Sequence, residues 1–243
     1  MMKNETPKPR RKNQSYGYYE ETPEATAFKR LYNKLQRQYD NYGLRVFMTT
    51  SSSSGEGKST TTAFLATASA RYRQTDTVLI DCDLRRPVVH KLYKVPNEGG
   101  MADILAHGVS LRSVLKSSAI PNLKIITAGV AETSPADLFS SERLSQMIER
   151  LRRAFQIVLL DAPPIIPVSD SLLLSNVADG ILFVCKAGVT QKRVAQHALE
   201  LLEDNRKKLL GVIINNMKGL LPYYYDYSYY DYKYYSHAAY DLE

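Results

Sequence analysis

Residues 52–60, SSSGEGKST, combine glycine, lysine and hydroxyl side chains at a spacing suited to holding phosphate. Gly55 and Gly57 let the backbone close around an anion, and the N–H groups that open a following helix would face it. Lys58 can bridge the β and γ phosphates of a nucleoside triphosphate, and the Ser59 hydroxyl can ligate Mg²⁺. This pattern predicts a P-loop. Its phosphate-binding residues would be Ser54, Gly55, Glu56, Gly57, Lys58, Ser59 and Thr60.

The strict P-loop expression is GxxxxGK followed by Ser or Thr, and this chain carries Ser52 where the first glycine stands. The alternative is therefore a serine-rich turn that contains GKS by coincidence. Two acidic motifs elsewhere in the chain, each at the end of an apolar run, favour the nucleotide site.

The first acidic motif is VLLDAPP, which places Asp161 where a Walker B carboxylate holds the hydration shell of Mg²⁺. The second, VLIDCDLRRP, carries Asp81 and Asp83 two residues apart, a spacing that puts both carboxylates on one face of a strand. The alternative is that such acids only support the metal indirectly or cap the next helix. Arg85 and Arg86 could contact phosphate, a neighbouring subunit, or surface carboxylates.

These side chains need a scaffold, and six short apolar, β-branched runs predict its strands. Amphipathic helices are predicted between them, one of which places Leu144, Met147, Ile148 and Leu151 on a single face. Similar apolar stripes occur at residues 23–39 and 194–202. Residues 84–122 interrupt the alternation of strands and helices with turns and short helical pieces. Alternating strands and helices predict a doubly wound, mainly parallel α/β sheet with its ligand beyond the carboxyl ends of the strands. The predicted strands are residues 44–50, 77–83, 123–129, 156–162, 180–187 and 209–215.

With 243 residues and 44% hydrophobic side chains, the chain can bury a substantial core as one domain, predicted over residues 24–221. Residues 1–23 predict a flexible basic arm, which accounts for much of the net charge of +7 and could also contact acidic headgroups or an acidic partner. Cys82 and Cys185 lie in apolar runs, so buried thiols are expected rather than a disulfide. Without a signal or spanning segment, the sequence predicts a cytoplasmic protein that binds no nucleic acid.

Residues 222–243 hold ten of the 18 tyrosines in the chain. Their spacing fits neither a strand nor a helix, so a mobile tail is predicted. The alternative to a chemical role for these phenols is an aromatic patch for protein interactions. The tyrosines are Tyr223, Tyr224, Tyr225, Tyr227, Tyr229, Tyr230, Tyr232, Tyr234, Tyr235 and Tyr240.

The motifs SSSSGEGKSTT, VLIDCDLRRP and VLLDAPP, followed by the tyrosine tail, resemble the bacterial tyrosine kinases (BY-kinases) over about residues 24–240. The resemblance implies that Lys58 and Ser59 bind ATP and Mg²⁺, and that Asp161 and Asp81 contact the metal. It implies that Asp81 or Asp83 accepts the proton of the tyrosine hydroxyl. It also implies that Asn215 reads adenine and that the tail tyrosines are the phosphoacceptors.

The resemblance implies an autokinase that regulates capsular or exopolysaccharide synthesis, chain length or export. It further implies a membrane-embedded activator that holds the chain at the inner face of the membrane, and a tyrosine phosphatase that reverses the reaction. Phosphorylation between subunits of a homo-oligomer, such as a ring, is expected. Relatives often carry an ExxRxxR oligomerisation motif, whose positions here hold Thr26, Lys29 and Tyr32, so only the middle one is charged.

A second function remains open on the same motifs. P-loop ATPases of the MinD or ParA type use their nucleotide state to control dimerisation and association with partners or membranes. Those proteins have a signature lysine early in the P-loop, where this chain has Ser53, and the tyrosine tail has no purpose in their mechanism.

Overall fold

The computed structural model describes residues 23–72 and 74–216, with side chains from Ala25 onward. The predicted tail lies wholly outside these residues, and the predicted arm lies outside them except for the backbone of Pro23. The expectations for both segments, including the ten tyrosines, therefore stay predictions.

In the described part of the chain, seven strands form one sheet in the order β3-β4-β2-β5-β1-β6-β7. All neighbouring strands run parallel except β3 and β4, which confirms the mainly parallel α/β fold. The strands are β1 Val46–Ser51, β2 Thr77–Asp81, β3 Lys116–Ser117, β4 Leu123–Ile126, β5 Ile157–Asp161, β6 Gly180–Lys186 and β7 Leu209–Asn215.

The six predicted strands all exist, but two of them end two or three residues earlier than predicted: β2 ends at Asp81 rather than at residue 83, and β4 ends at Ile126 rather than at residue 129. Beyond β2, Asp83 begins a turn in which the Arg86 N–H donates to the Asp83 carbonyl at 3.2 Å. Asp83 therefore lies in a turn and not on the strand. The short strand β3 is absent from the prediction because its two residues are polar and its position depends on tertiary contacts, in which Lys116 Nζ donates to the Gly99 carbonyl and to Thr127 Oγ1.

Helices cover both faces of the sheet, as the alternating pattern predicts. α6 and α8 are missing from that prediction because α6 is only about one and a half turns long and the polar and apolar residues of α8 do not separate onto two faces. Among the described residues, no helix combines the length and the apolar character needed to cross a bilayer. The helices are α1 Pro23–Tyr42, α2 Lys58–Tyr72, α3 Val89–Tyr93, α4 Met101–His107, α5 Leu111–Val114, α6 Pro135–Phe139, α7 Glu142–Ala154, α8 Asp170–Val177 and α9 Lys192–Glu200, with a 3₁₀ turn at Glu203–Lys208.

Two apolar clusters, one on each face of the sheet, form the core. Alternate strand residues divide between them: Val46 and Met48 join α4, α7 and α8 on one face, while Phe47 joins α1 and α2 on the other. Both cysteines are free thiols, and Cys82 is fully buried as expected, whereas Cys185 is only partly buried.

The strand order brings three chemically important strand ends together. β1 lies between β5 and β6, and β5 lies between β1 and β2. In this register Asp161 of β5 stands beside Thr49 of β1 on one side and beside Asp81 of β2 on the other. The switch in connection direction around β1 opens a crevice at this edge, which is where doubly wound sheets bind their ligands.

Helix α1 packs through its predicted apolar stripe, but its most buried side chain is a tyrosine. Tyr32 is completely buried, and its hydroxyl donates to Gln36 Oε1 at 2.8 Å and lies 2.7 Å from the Thr75 hydroxyl. Phe28 stacks on Phe64 of α2 with ring centroids 5.0 Å apart. Tyr32, the third position of the ExxRxxR alignment, thus faces the core.

We expect Tyr32→Phe to lower the free energy of unfolding by about 1–2 kcal/mol, because it leaves the buried Thr75 hydroxyl without its acceptor. Tyr42→Phe is the matched control, since Tyr42 ends the same helix and is 70% exposed. Urea unfolding of the two variants measures the difference. Equal stability of both variants would contradict this account of how α1 is anchored.

Candidate active site

The P-loop follows β1 and opens α2 at Lys58. Gly55 and Gly57 have φ angles of 81° and 94°, in the region that favours glycine, so the turn depends on both. The residues at the start of α2 present their backbone N–H groups at the carboxyl edge of the sheet, the arrangement that binds phosphate.

A buried carboxylate holds the loop in shape. Glu56 accepts hydrogen bonds from Ser52 Oγ at 2.8 Å, from the Ser53 N–H at 3.0 Å, and from Thr190 Oγ1 in the β6–α9 connection. Ser52 therefore helps to hold the Glu56 carboxylate in place, at the position where the strict motif has glycine. Because the Glu56 carboxylate is occupied by these donors, the predicted contact of Glu56 with phosphate would have to come from its backbone N–H group.

Asn215, the last residue of β7, lies against the same loop. Its Nδ2 donates to the Glu56 carbonyl at 3.0 Å, and a Cβ at position 57 would collide with its amide. Asn215 therefore braces the P-loop. Its predicted contact with adenine stays a prediction.

Lys58 is the cation of a buried cluster of charges. Its Nζ donates to Asp83 Oδ2 at 2.9 Å and to Ser59 Oγ at 3.3 Å. Burial lowers the pKa of the Lys58 ammonium, but Asp161, Asp83 and Asp81 outweigh that effect and hold it above its ordinary value. Lys58 is therefore charged, and one ammonium faces three carboxylates.

Asp161 has oxygen atoms suited to a metal. It is fully buried, its Oδ1 accepts from Thr62 Oγ1 at 3.4 Å, and its Oδ2 has no hydrogen-bond partner in the described structure. The buried Thr49 Oγ1 beside it has none either. Burial raises the pKa of Asp161, although Lys58 and the Ser59 and Thr62 hydroxyls lower it. Unpartnered hard oxygens in a site with excess negative charge fit Mg²⁺.

Asp81 and Asp83 differ in their contacts, contrary to the prediction that they share a strand face. Asp81 Oδ1 accepts the Asp83 N–H at 3.2 Å, and its Oδ2 accepts the N–H groups of Val88 and Val89, each at 3.0 Å. This is the helix-capping alternative, because α3 begins at Val89. Burial and the neighbouring Asp161 raise the pKa of Asp81 to about 7, against the lowering effect of these backbone bonds.

The comparisons with known proteins agree with this geometry. Residues 47–221 match the family model of the CobQ/CobB/MinD/ParA nucleotide binding domain. Tyrosine-protein kinase YwqD of Bacillus subtilis (strain 168) is 37% identical over 175 residues, which cover 72% of this chain and 73% of that protein. The chain belongs to the bacterial tyrosine kinases. It is therefore a protein-tyrosine kinase with a nucleotide-binding P-loop domain, which confirms the predicted family, fold class and enzyme class.

Two solved structures resemble the kinase closely. The chimerical protein CapA2B2 superposes with a TM-score of 0.76 at 28% identity, covering 81% of this chain and 86% of that one. The kinase domain of Escherichia coli tyrosine kinase ETK gives a TM-score of 0.75 at 26% identity, covering 79% of this chain and 74% of that one. Both likenesses extend over most of the sheet that positions the site.

Arg85 joins the loop after β2 to helix α8 in the kinase. Its Nε and Nη2 donate to the two carboxylate oxygens of Asp170 at 2.8 and 3.2 Å, and Asp170 is fully buried. The structure shows Arg85 in an ion pair, but with a buried carboxylate and not with the surface carboxylates that the sequence suggested. The sequence contains no local signal for Asp170, Thr190 or the inward turn of Glu56, because their partners lie far away in the chain.

We expect Arg85→Gln to lower the free energy of unfolding by about 2 kcal/mol, because it leaves the buried Asp170 carboxylate unpaired. Arg86→Gln, at an exposed neighbour whose guanidinium forms no ion pair with the described carboxylates, is the matched control and should change stability by less than about 0.5 kcal/mol. Denaturant unfolding measures both. If adding Asp170→Asn to Arg85→Gln recovers no stability, the unpaired charge is not the cause.

The excess negative charge predicts a pH dependence for the kinase without metal. Because the pKa of Asp161 is raised in the folded state, the wild-type chain loses stability as pH rises from about 4 toward the folded pKa. Asp161→Asn lacks that loss, so its free energy of unfolding should exceed that of the wild type by about 1 kcal/mol near pH ~8. This difference in the free energy of unfolding between Asp161→Asn and wild type should narrow toward pH ~5, where the wild-type carboxyl is more protonated.

Thermal unfolding in a chelating buffer measures this difference. Asp204→Asn, which neutralises an exposed carboxylate, is the control and should leave the pH profile unchanged. A lower melting temperature for Asp161→Asn than for wild type at the alkaline end would show that burial of this charge does not destabilise the chain.

Proposed function

We propose that this kinase transfers the γ-phosphoryl group of ATP to tyrosines in its own residues 222–243. One observation carries the proposal: β7 ends on the P-loop, where Asn215 donates to the Glu56 carbonyl at 3.0 Å. The chain therefore leaves its last described strand at the edge where Lys58, Asp83 and Asp161 converge. The tyrosine-rich segment follows β7 in the sequence, and departure of the chain from this edge of the sheet supports presentation of the tail of one subunit to the nucleotide site of the next.

Lys58 and the backbone N–H groups of residues 54–60 bind the phosphates in this mechanism. Lys58 exchanges its contact with Asp83 for the β and γ phosphates, which neutralises charge that develops as the phosphoryl group transfers. Ser59 and Asp161 would hold Mg²⁺, with Asp81 nearby, and the metal would draw negative charge from the phosphate oxygens. These roles rest on the donor set and on the unpartnered oxygens of Asp161 and Thr49.

Asp83 is the better-supported proton acceptor for the tyrosine hydroxyl. When Lys58 turns to phosphate, Asp83 Oδ2 is released, whereas both oxygens of Asp81 stay engaged with backbone N–H groups. A phenol with a pKa near 10 gains from a nearby carboxylate, although positioning and charge neutralisation dominate phosphoryl transfer. The proton passes to Asp83 as the new O–P bond forms and ADP leaves.

The resemblance to BY-kinases supports the wider setting that we propose. Transfer takes place between subunits of a homo-oligomer, where the tail of one chain enters the site of the next. A membrane-embedded activator holds the kinase at the inner face of the membrane, and a tyrosine phosphatase resets the tail. The output is control of capsular or exopolysaccharide synthesis, chain length or export.

We expect Lys58→Met to lower ATP-dependent phosphorylation of the tail by about 100-fold or more, because the phosphates lose their buried cation. The full chain is incubated with ATP and Mg²⁺, and mass spectrometry counts phosphoryl groups in the peptides that contain residues 222–243. Lys192→Met, which removes an exposed lysine on α9, is the control and should label like the wild type. Circular dichroism verifies that both variants fold.

Two results would refute the proposal. Labelling that survives in Lys58→Met would refute the site assignment. ATP hydrolysis without phosphotyrosine in the tail of the intact chain would instead favour the nucleotide-controlled switch of the MinD or ParA type.

A further inference from the structure

We propose that the outer face of α1, formed by Arg30, Lys34 and Arg37, binds the tail of this chain after its tyrosines are phosphorylated. We call these three residues the basic face. The inference rests on the proposed function for the source of phosphotyrosine. It adds to that function a place where the product segment docks once it leaves the active site.

The basic face is a single exposed stripe of cations. Positions 30, 34 and 37 are three and four residues apart, so their side chains project from one side of the helix. All three are exposed, while Leu35 on the opposite side is buried. None of them lies within ion-pair distance of a carboxylate whose side chain the structure describes.

A fourth cation, Lys29, flanks this stripe and is held in place by an aromatic ring. Lys29 Nζ lies 4.9 Å from the ring centroid of Tyr72 at the end of α2. Such a contact over an aromatic face orients the ammonium at little cost in hydration. Within α1, the one acidic residue whose side chain the structure describes is Asp40, and its carboxylate accepts a hydrogen bond from Gln36 Nε2 at 2.8 Å.

The tail has the complementary charge. Before modification, residues 222–243 hold four carboxylates against one lysine, and each phosphotyrosine adds about −1.5 to −2 charges. Three phosphotyrosines would therefore raise the net negative charge of the segment about 2.5- to 3-fold, and each carries oxygens that accept charge-assisted hydrogen bonds from arginine. The unmodified tail therefore has few negative charges with which to bind the basic face, whereas the phosphorylated tail has many.

The spacing of tyrosines also matches the spacing of cations. In an extended segment, alternate residues lie on the same side about 6.6 Å apart. Tyr225, Tyr227 and Tyr229 are alternate residues. The rise along a helix from position 30 to 34 is about 6 Å, and from 34 to 37 about 4.5 Å. Three phosphates can therefore face three cations in register.

The tail can reach the basic face of its own chain. Leu210 and Ile213 of β7 pack in the same apolar cluster as Phe28 and Leu31 of α1, so the last strand and this helix share one face of the sheet. The nine steps from Asn216 to Tyr225 span at most about 30 Å, which is about the whole length of the 20-residue helix α1.

Docking of this kind would separate substrate from product. The unmodified tail stays available to an active site, and the phosphorylated tail is retained on α1 by ion pairs. Each added phosphate would then withdraw the tail further from catalysis and reduce product inhibition.

Fluorescence anisotropy tests the proposal with labelled synthetic peptides of residues 222–243. One peptide carries phosphotyrosine at positions 225, 227 and 229, and the other is unmodified. The protein is the full chain, treated with a tyrosine phosphatase that is then removed. We expect the phosphopeptide to bind at least about tenfold more tightly than the unmodified peptide, with an affinity that falls as salt rises.

Charge-matched variants locate the binding site. The triple variant Arg30→Gln, Lys34→Gln, Arg37→Gln should weaken phosphopeptide binding about tenfold or more. The control triple Arg150→Gln, Arg153→Gln, Lys192→Gln removes three exposed cations from α7 and α9 and should bind like the wild type. Lys58→Met should also bind normally, since the peptide does not need the phosphate site. Thermal melts confirm that each variant folds.

Three outcomes would overturn the proposal: equal affinity for the two peptides, equal losses in the two triple variants, or loss of binding in Lys58→Met, which would place the peptide in the active site. Vesicles containing phosphatidylserine are tested in parallel. If they bind the chain through the basic face while the phosphopeptide does not, the face contacts membrane and the proposal is wrong. Because the peptides are made chemically, these results do not depend on whether the chain phosphorylates itself.

Discussion

The site depends on an unequal balance of buried charge. One ammonium, that of Lys58, serves three carboxylates at the ends of adjacent strands or just after them. Burial, together with the neighbouring carboxylates, raises the pKa values of Asp81 and Asp161, and one oxygen of Asp161 has no donor in the described structure. A protein interior tolerates such a deficit only when a further cation relieves it or when protons do. The apolar sheet around the cluster is therefore what gives the site its affinity for positive charge.

The rest of the fold holds these charged groups in position. β1, β5 and β2 hold Thr49, Asp161 and Asp81 side by side through their register, and backbone N–H groups fix the Asp81 carboxylate. The Arg85–Asp170 pair fixes the loop that carries Asp83 to the helix on the far side of the crevice. Lys58 and Asp83 form a direct ion pair at 2.9 Å, and in the mechanism that we propose these are the two groups that change partners when a phosphate binds.

The sequence predicts the sheet and the phosphate loop well because both depend on local patterns. Apolar runs identify all six long strands, and GKS with two acidic strand ends identifies the crevice. The prediction carries β2 and β4 too far, because the side-chain pattern continues past Asp81 and Ile126, where strand pairing stops; Asp83 instead begins a turn with Arg86. It also misses the contacts of Glu56 with Thr190 and of Arg85 with Asp170, which join residues that are 134 and 85 positions apart. No local spacing encodes such pairs.

The bracing of the phosphate loop has a consequence for synthesis of the protein. Glu56 takes a hydrogen bond from a hydroxyl 134 residues later, and its carbonyl takes one from an amide 159 residues later. During synthesis on the ribosome, the loop residues Gly55, Gly57 and Lys58 are therefore made long before Thr190 and Asn215, whose contacts hold the loop in shape. The loop therefore gains these two contacts only after β7, the last strand in the described part of the chain, has been synthesised.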